Sequence, residues 1–181
     1  GLAGCAEAMI EVLIGPKWLP SAEFLKILAI SGLFLPMILS SVNVFNANGK
    51  SNITLILEII KTLLAVIPVT LGIIFDINAL LWGMAGVSVM SYLIHAVFVS
   101  KEIKYSVTEQ IGDILPFIVI STVMSFIVSL VGTVGLSPLL LLIVQVGTGF
   151  IIVLLSYEFI YKSEEYYDVK NQVLKMLHLK K

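Results

Sequence analysis

Apolar positions along this chain come in long unbroken blocks, at 24–46, 52–75, 79–99, 114–134 and 137–160, with polar residues gathered between them. The blocks are apolar on all sides rather than striped at helical spacing. They lack the polar outer face that a helix on a soluble core keeps toward water. About 20 apolar residues in a helix cross a hydrocarbon layer roughly 30 Å thick, and each block reaches that length. Five transmembrane helices are therefore predicted. A shorter apolar stretch, 1–14, predicts a partial sixth crossing. No basic segment precedes it, which separates it from a signal peptide. It reads as the end of a span that begins upstream, so the chain is expected to be the C-terminal part of a longer protein.

The links at 15–23, 46–51, 76–78, 100–113 and 133–137 are too short for an extramembrane domain and set neighbouring helices antiparallel. The predicted fold is all-α, a polytopic transmembrane helix bundle over residues 1–160. A tail, 161–181, follows it. There Tyr166, Val169, Val173 and Leu177 recur at helical spacing with lysines between them, which suits a cytoplasmic amphipathic helix on an anionic leaflet. Ser106 and Glu109 have the spacing of a reciprocal helix cap, predicting a short in-plane turn that enters the membrane near Pro116. Pro36 and Pro68 fall inside spans and predict kinks. Gly83, Gly86, Ser88 and Ser91, and likewise Gly147 and Gly149, predict close helix approach.

Charge changes the picture by its placement. The net charge of −1 creates no field for nucleic acid, and all 11 basic residues are lysine. Lysine-bearing links stay cytoplasmic. Lys50, Lys101, Lys104 and the tail lysines Lys162, Lys170, Lys175, Lys180 and Lys181 share one side, against Lys17 and Lys26 on the other, so the C-terminus is expected in the cytoplasm. Trp18 and Trp82 fall at the outer interface, and Tyr105, Tyr157 and Tyr161 at the inner one. The single Cys5 excludes an intrachain disulfide and reads as a small packing residue. No phosphate-binding loop, metalloprotease helix or serine elbow occurs, so neither catalysis nor a metal or other cofactor is expected.

Two ionisable residues interrupt the second full span. Glu58 and Lys61, three apart on one helix face, lie in ITLILEIIKTLLAVIPVTLGIIF; counted from Asn52, Glu58 is about 9 Å deep. They read either as a self-neutralising pair that fixes the helix in depth and rotation or as the lining of a polar cavity open to the cytoplasm. Glu7 and Glu11 form a second acidic face, either solvated at the outer end or a proton or ion site. Asp76 reads as a solvated turn residue. His95 is a packing histidine or a proton relay. Gln145, the lone amide of its span, is an interhelical hydrogen-bonder or a substrate contact.

Order and spacing carry a resemblance. GPKW at 15–18, LAISGLFLPMILSSVNVFNANGKSN at 28–52, LEIIK at 57–61, WGMAGVSV at 82–89 and YSVTEQIGDILP at 105–116 together resemble the C-terminal part of bacterial polysaccharide flippases. These are the lipopolysaccharide or O-antigen type of the multidrug/oligosaccharidyl-lipid/polysaccharide exporter superfamily. The resemblance covers about 10–160 and implies one lobe of a two-lobe bundle that alternates between inward-open and outward-open states. It implies as substrate an undecaprenyl-pyrophosphate-linked oligosaccharide, with membrane lipids and the polymerase and chain-length machinery of surface polysaccharide as partners. The partial helix would be the ninth of fourteen, in the bacterial inner membrane. Glu58, Lys61 and Gln145 would face the cavity. Because the chain has no arginine and, apart from Lys26 at the start of the first full span, only Lys61 within a span, the main pyrophosphate ligands would lie in the other lobe. A multidrug exporter of the same superfamily would usually lack the last two helices, and a polysaccharide polymerase or ligase would need a long outer loop with charged residues.

Overall fold

The computed structural model describes residues 1–156, and these contain helices and links but no strand. The elements are α1 (Ala6–Leu13), α2 (Ser21–Gly32), α3 (Leu35–Ala47), α4 (Ser51–Ile74), α5 (Ile77–Ile103), α6 (Val107–Val131) and α7 (Pro138–Ser156), with single 3₁₀ turns at Pro16–Trp18 and Gly132–Val134. Five stretches are long and apolar enough to cross a membrane: Ser21–Ala47, Ser51–Ile74, Ile77–Ile103, Val107–Val134 and Pro138–Ser156. Only 6–22% of the residues in their most apolar windows are buried within the protein. Leu55, Ile59, Leu63, Val66 and Ile73 all stand outward on α4. A soluble domain hides such residues, so the solvent for this surface is lipid. The chain is an all-helical, multi-pass membrane protein.

Capping chemistry sets the helix ends. Ser106 and Glu109 form the reciprocal cap: the Glu109 amide donates to Ser106 Oγ at 3.2 Å and the Ser106 amide to Glu109 Oε2 at 2.8 Å. The in-plane turn expected before Pro116 is absent. The cap commits residue 107 to the helix, and α6 runs without interruption to Val131, because an interior proline removes one backbone bond among many. Asp76, expected to be merely solvated, caps α5 by accepting from the Ala79 amide at 2.7 Å. After α3, Gly49 takes a positive φ of 69°. Lys50 then bonds back to the Phe45 carbonyl at 2.8 Å and Gly49 to that of Asn46 at 3.1 Å, the turn that lets α4 reverse direction.

Pro36 does more than kink its span. It stands second in α3, and the expected helix over 24–46 is split at Leu33–Phe34 into α2 and α3. Proline offers no N–H to the turn before it, and its ring crowds the carbonyl of Gly32. Both linking residues keep right-handed helical angles, so the chain continues onward through the break. Within residues 1–14 the helix is the eight-residue α1, about 12 Å long and too short by itself to cross. The part of the expected last span beyond Ser156, and the tail at 161–181, lie outside the described residues.

The central element is α5. It packs along α4 for most of its length, takes α2 and α3 on other sides, and touches the start of α6. Phe45, Leu57 and Val99 fill one junction among α3, α4 and α5. Ile38, Tyr92 and Ala96 fill a second, where α3 and α5 meet α6. A hairpin of α6 and α7 stands beside this group, with α1 between α7 and α2.

Small residues govern the α4–α5 contact unequally. A Cβ on Gly83 would lie 2.7 Å from Pro68 Cβ, and one on Gly72 would lie 2.6 Å from Leu80 Cβ, whereas Gly86 and Gly147 face open space. A proline ring cannot move aside as a flexible side chain can. Gly83→Ala is therefore expected to lower stability by about 1–3 kcal/mol and Gly86→Ala to leave it nearly unchanged, as read by thermal unfolding of the two variants in the same detergent.

Candidate functional site

The face that α4 turns to α5 is apolar, with Leu57 and Pro68 buried. Beside it runs a polar edge of Thr54, Glu58, Lys61 and Thr62, spaced so that all four fall on one side of the helix. Lys61 Nζ donates to both Glu58 oxygens, at 3.0 and 2.9 Å. Thr62 bonds back to the Glu58 carbonyl at 2.8 Å, and Thr54 donates to Asn46 Oδ1 at 3.4 Å. The ion pair is half-exposed, with 39% of the Lys61 side chain and 56% of the Glu58 side chain accessible. In water such a pair is worth about 0.2–1 kcal/mol. Within a span its importance is different: each charge is neutralised where an isolated one at mid-helix would cost about 2.5–3.5 kcal/mol.

Lys61 also reaches the seam with α5. Its side chain, with Leu57 and Ile60, faces Ser91, Ile94 and His95 across a crevice too narrow for water. His95 is 3% exposed, and its Nδ1 lies 2.8 Å from the Ser91 carbonyl, which can only accept, so Nδ1 carries the hydrogen. Ser91 Oγ is buried without a hydrogen-bond partner. Two of the residues singled out from the sequence, Lys61 and His95, are thus neighbours.

The others are elsewhere. Glu7 pairs with Lys26 at 2.5 Å, tying α1 to α2, with Glu11 one turn further along α1. Gln145 is 3% exposed and sits where α7 meets α6 and the N-terminal segment. Its Nε2 donates to the Val128 carbonyl at 3.0 Å and to that of Gly4 at 3.4 Å, while Oε1 is buried without a partner. The amide is occupied in holding helices together. Among the described residues no group of three or more His, Cys, Asp or Glu side chains is placed to hold a metal ion.

A groove of about 280 Å³ opens between α3, α5 and α6, away from the polar edge of α4. Ser40, Ser41, Tyr92, Tyr105, Gln110 and Asp113 give it polar walls, and Met37, Val44 and Ile114 are among its apolar ones. The Tyr105 hydroxyl donates to Asp113, and that bond pushes the Tyr105 pKa up to about 12, so the hydroxyl keeps its hydrogen. Tyr92, stacked on Phe34, has a buried hydroxyl with no protein partner, an arrangement that costs about 1–3 kcal/mol if nothing else fills it. Sequence reasoning missed this groove because it assigned Asp113 to a link. The Ser106–Glu109 cap was the available signal, since a helix starting at residue 107 carries Asp113 inside it.

Replacing Gln145 by Leu removes its bond to α6 and its bond to the N-terminal segment, and a loss of about 0.6–1.7 kcal/mol is expected, read as a lower midpoint of thermal unfolding in detergent. Compared with protein-family models, curated proteins and solved structures, the chain matches none.

Proposed function

We propose that the chain forms the C-terminal lobe of a flippase that moves undecaprenyl-pyrophosphate-linked oligosaccharide across the bacterial inner membrane for surface polysaccharide synthesis. The observation that carries this reading is the Glu58–Lys61 pair, standing half-exposed on an outward edge of α4 amid Leu55, Ile59 and Leu63. Ionisable side chains within spans turn toward a bundle interior or a water-filled cavity rather than toward lipid. The polar edge of α4 then lines a path shared with the other lobe. Lys61 meets the anionic head group there, Glu58 holds the lysine in place between transport cycles, and the polyprenyl chain stays in lipid. The order and spacing of the segments that resemble polysaccharide flippases supply the substrate class.

The mechanism that fits this arrangement is alternating access, in which one lobe rocks against the other. The close seam of Pro68 against Gly83 packs α4 tightly on α5, which suits a polar edge carried with the lobe. The lysine distribution supports a cytoplasmic C-terminus in this reading.

Deletion of the gene is expected to make lipid-linked repeat units accumulate on the cytoplasmic side while surface polysaccharide falls, measured by lipid extraction with surface glycan quantification. Units that reach the outer leaflet unpolymerised would instead indicate an assembly enzyme, and unchanged levels of both would overturn the polysaccharide reading. Joint replacement of Glu58 and Lys61 by Leu is expected to cut restored surface polysaccharide by about tenfold, the equivalent of ~1.4 kcal/mol of lost binding, at unchanged protein level. Full restoration would reduce the pair to a packing role.

A further inference from the structure

The seam between α4 and α5 holds a cation on one helix and unfilled bonds for a cation on the other. Lys61 stands one turn beyond Leu57, which is buried against α5, so its stem leaves α4 toward the seam and lies in the crevice wall. Its ammonium turns aside to Glu58 and donates to both carboxylate oxygens, at 3.0 and 2.9 Å. Lysine carries its charge on a flexible four-carbon stem, so the ammonium can cross to α5 with the backbone still.

On α5, Ser91 and His95 stand one turn apart on the side that faces Lys61. The His95 Nδ1 hydrogen is committed to the Ser91 carbonyl at 2.8 Å, which leaves Nε2 as an acceptor. Ser91 Oγ is buried without a partner. The crevice is too narrow for water, so no solvent bridge serves these groups. A donor has to come from a side chain already in the wall. Among the described residues Lys61 is the one cation there, beside the apolar Leu57, Ile60 and Ile94.

The charge of Glu58 is what keeps the ammonium on α4. Solvent reaches Glu58, with 56% of its side chain accessible, and scarcely reaches His95, at 3%. A proton on Glu58 removes the countercharge, and a lone ammonium within a span turns to acceptors away from lipid. No other charge among the described residues offers one at this seam. Helix α3 has no titratable residue. Glu23 and Lys26 lie early in α2, where Lys26 pairs with Glu7. Glu109 of α6 is bonded to Ser106, and Asp113 accepts from Tyr105 in the groove that Tyr92 also lines. Lys101 and Glu102 stand at the far end of α5, with Glu102 paired to Lys50.

We propose that Glu58 is a proton-binding site, and that its proton moves the Lys61 ammonium to a second seat on α5 formed by Ser91 Oγ and His95 Nε2. A hydronium ion supplies the proton, an O–H bond forms at a Glu58 oxygen, and water is released. Loss of the proton to water returns the ammonium to Glu58. The seat is a property of the α4–α5 pair and does not depend on what the protein transports.

The test is nitrogen nuclear magnetic resonance of the full chain in nanodiscs, labelled at histidine, with His178→Gln leaving His95 as the single imidazole. Glu58→Gln holds that side chain neutral. At alkaline pH its Nε2 signal is expected upfield of the wild-type signal, because Nε2 then accepts from Lys61, and adding Lys61→Leu should abolish the shift. Lowering the pH of the wild type should reproduce the movement, which tests the seat even where Glu58→Gln folds poorly. A thermal double-mutant cycle adds a readout that packing alone would not move. Ser91→Ala removes a hydroxyl with no partner and should leave the wild-type unfolding midpoint nearly unchanged. In the Glu58→Gln background it should lower the folding equilibrium about tenfold, the size of one hydrogen bond to a charged group. A signal indifferent to Glu58→Gln and to pH, a movement that persists without Lys61, or additive losses in the cycle would overturn the proposal.

Discussion

The close approach of α4 to α5 is the contact on which the remaining packing depends. Pro68 fills the space that a side chain at Gly83 would need, and Leu80 does the same at Gly72. In a bilayer this contact gains little from the hydrophobic effect, because lipid tails solvate apolar side chains as well as a neighbouring helix does. Dispersion between surfaces that fit without a gap is what remains, and it demands glycine at these points. With α4 and α5 joined, α5 presents its other sides to α2, α3 and α6, and the junctions around Phe45 and Tyr92 can form.

Polar groups follow a second constraint of the same environment. Serines and threonines on α3, α4, α6 and α7 return their hydroxyl hydrogens to carbonyls three or four residues earlier, as at Ser40, Thr70, Thr122, Ser129 and Ser156. Gln145 and Gln110 reach across to neighbouring helices. Lys61 closes on Glu58. Against that background of internal satisfaction, the departures are informative: a half-exposed ion pair on α4, and buried oxygens of Ser91, Tyr92 and Gln145 without a partner. The first marks an edge unsuited to lipid. Tyr92 brings a buried hydroxyl with no protein partner to the wall of the groove.

The two sites differ in chemistry. The edge of α4 offers a lysine held by a neutralising carboxylate, half-exposed on the outer face of the helix. The groove is lined by serine and tyrosine hydroxyls, the Gln110 amide and an Asp113 carboxylate that accepts from Tyr105. They meet different sides of α5, His95 facing the crevice beside Lys61 and Tyr92 lining the groove.

The sequence by itself determined the spans, since block length and all-round apolarity admit few structures in lipid, and it carried the Ser106–Glu109 cap, though not that the helix runs on from that cap without a break. It also placed Glu58 and Lys61 on one face, a consequence of helical spacing alone. Periodicity could not decide whether Pro36 bends a helix or divides it, because that depends on how α2 and α3 both seat on α5. Nor could it show that, among the glycines of α4 and α5, Gly83 and Gly72 but not Gly86 carry close contacts, or that Tyr92, Gln110 and Asp113 line one groove. Those outcomes depend on which helix faces are brought together, and in segments apolar on every side the hydrophobic pattern marks no preferred face. Shape complementarity and a few internal hydrogen bonds choose it instead, and these exist only once the helices are packed.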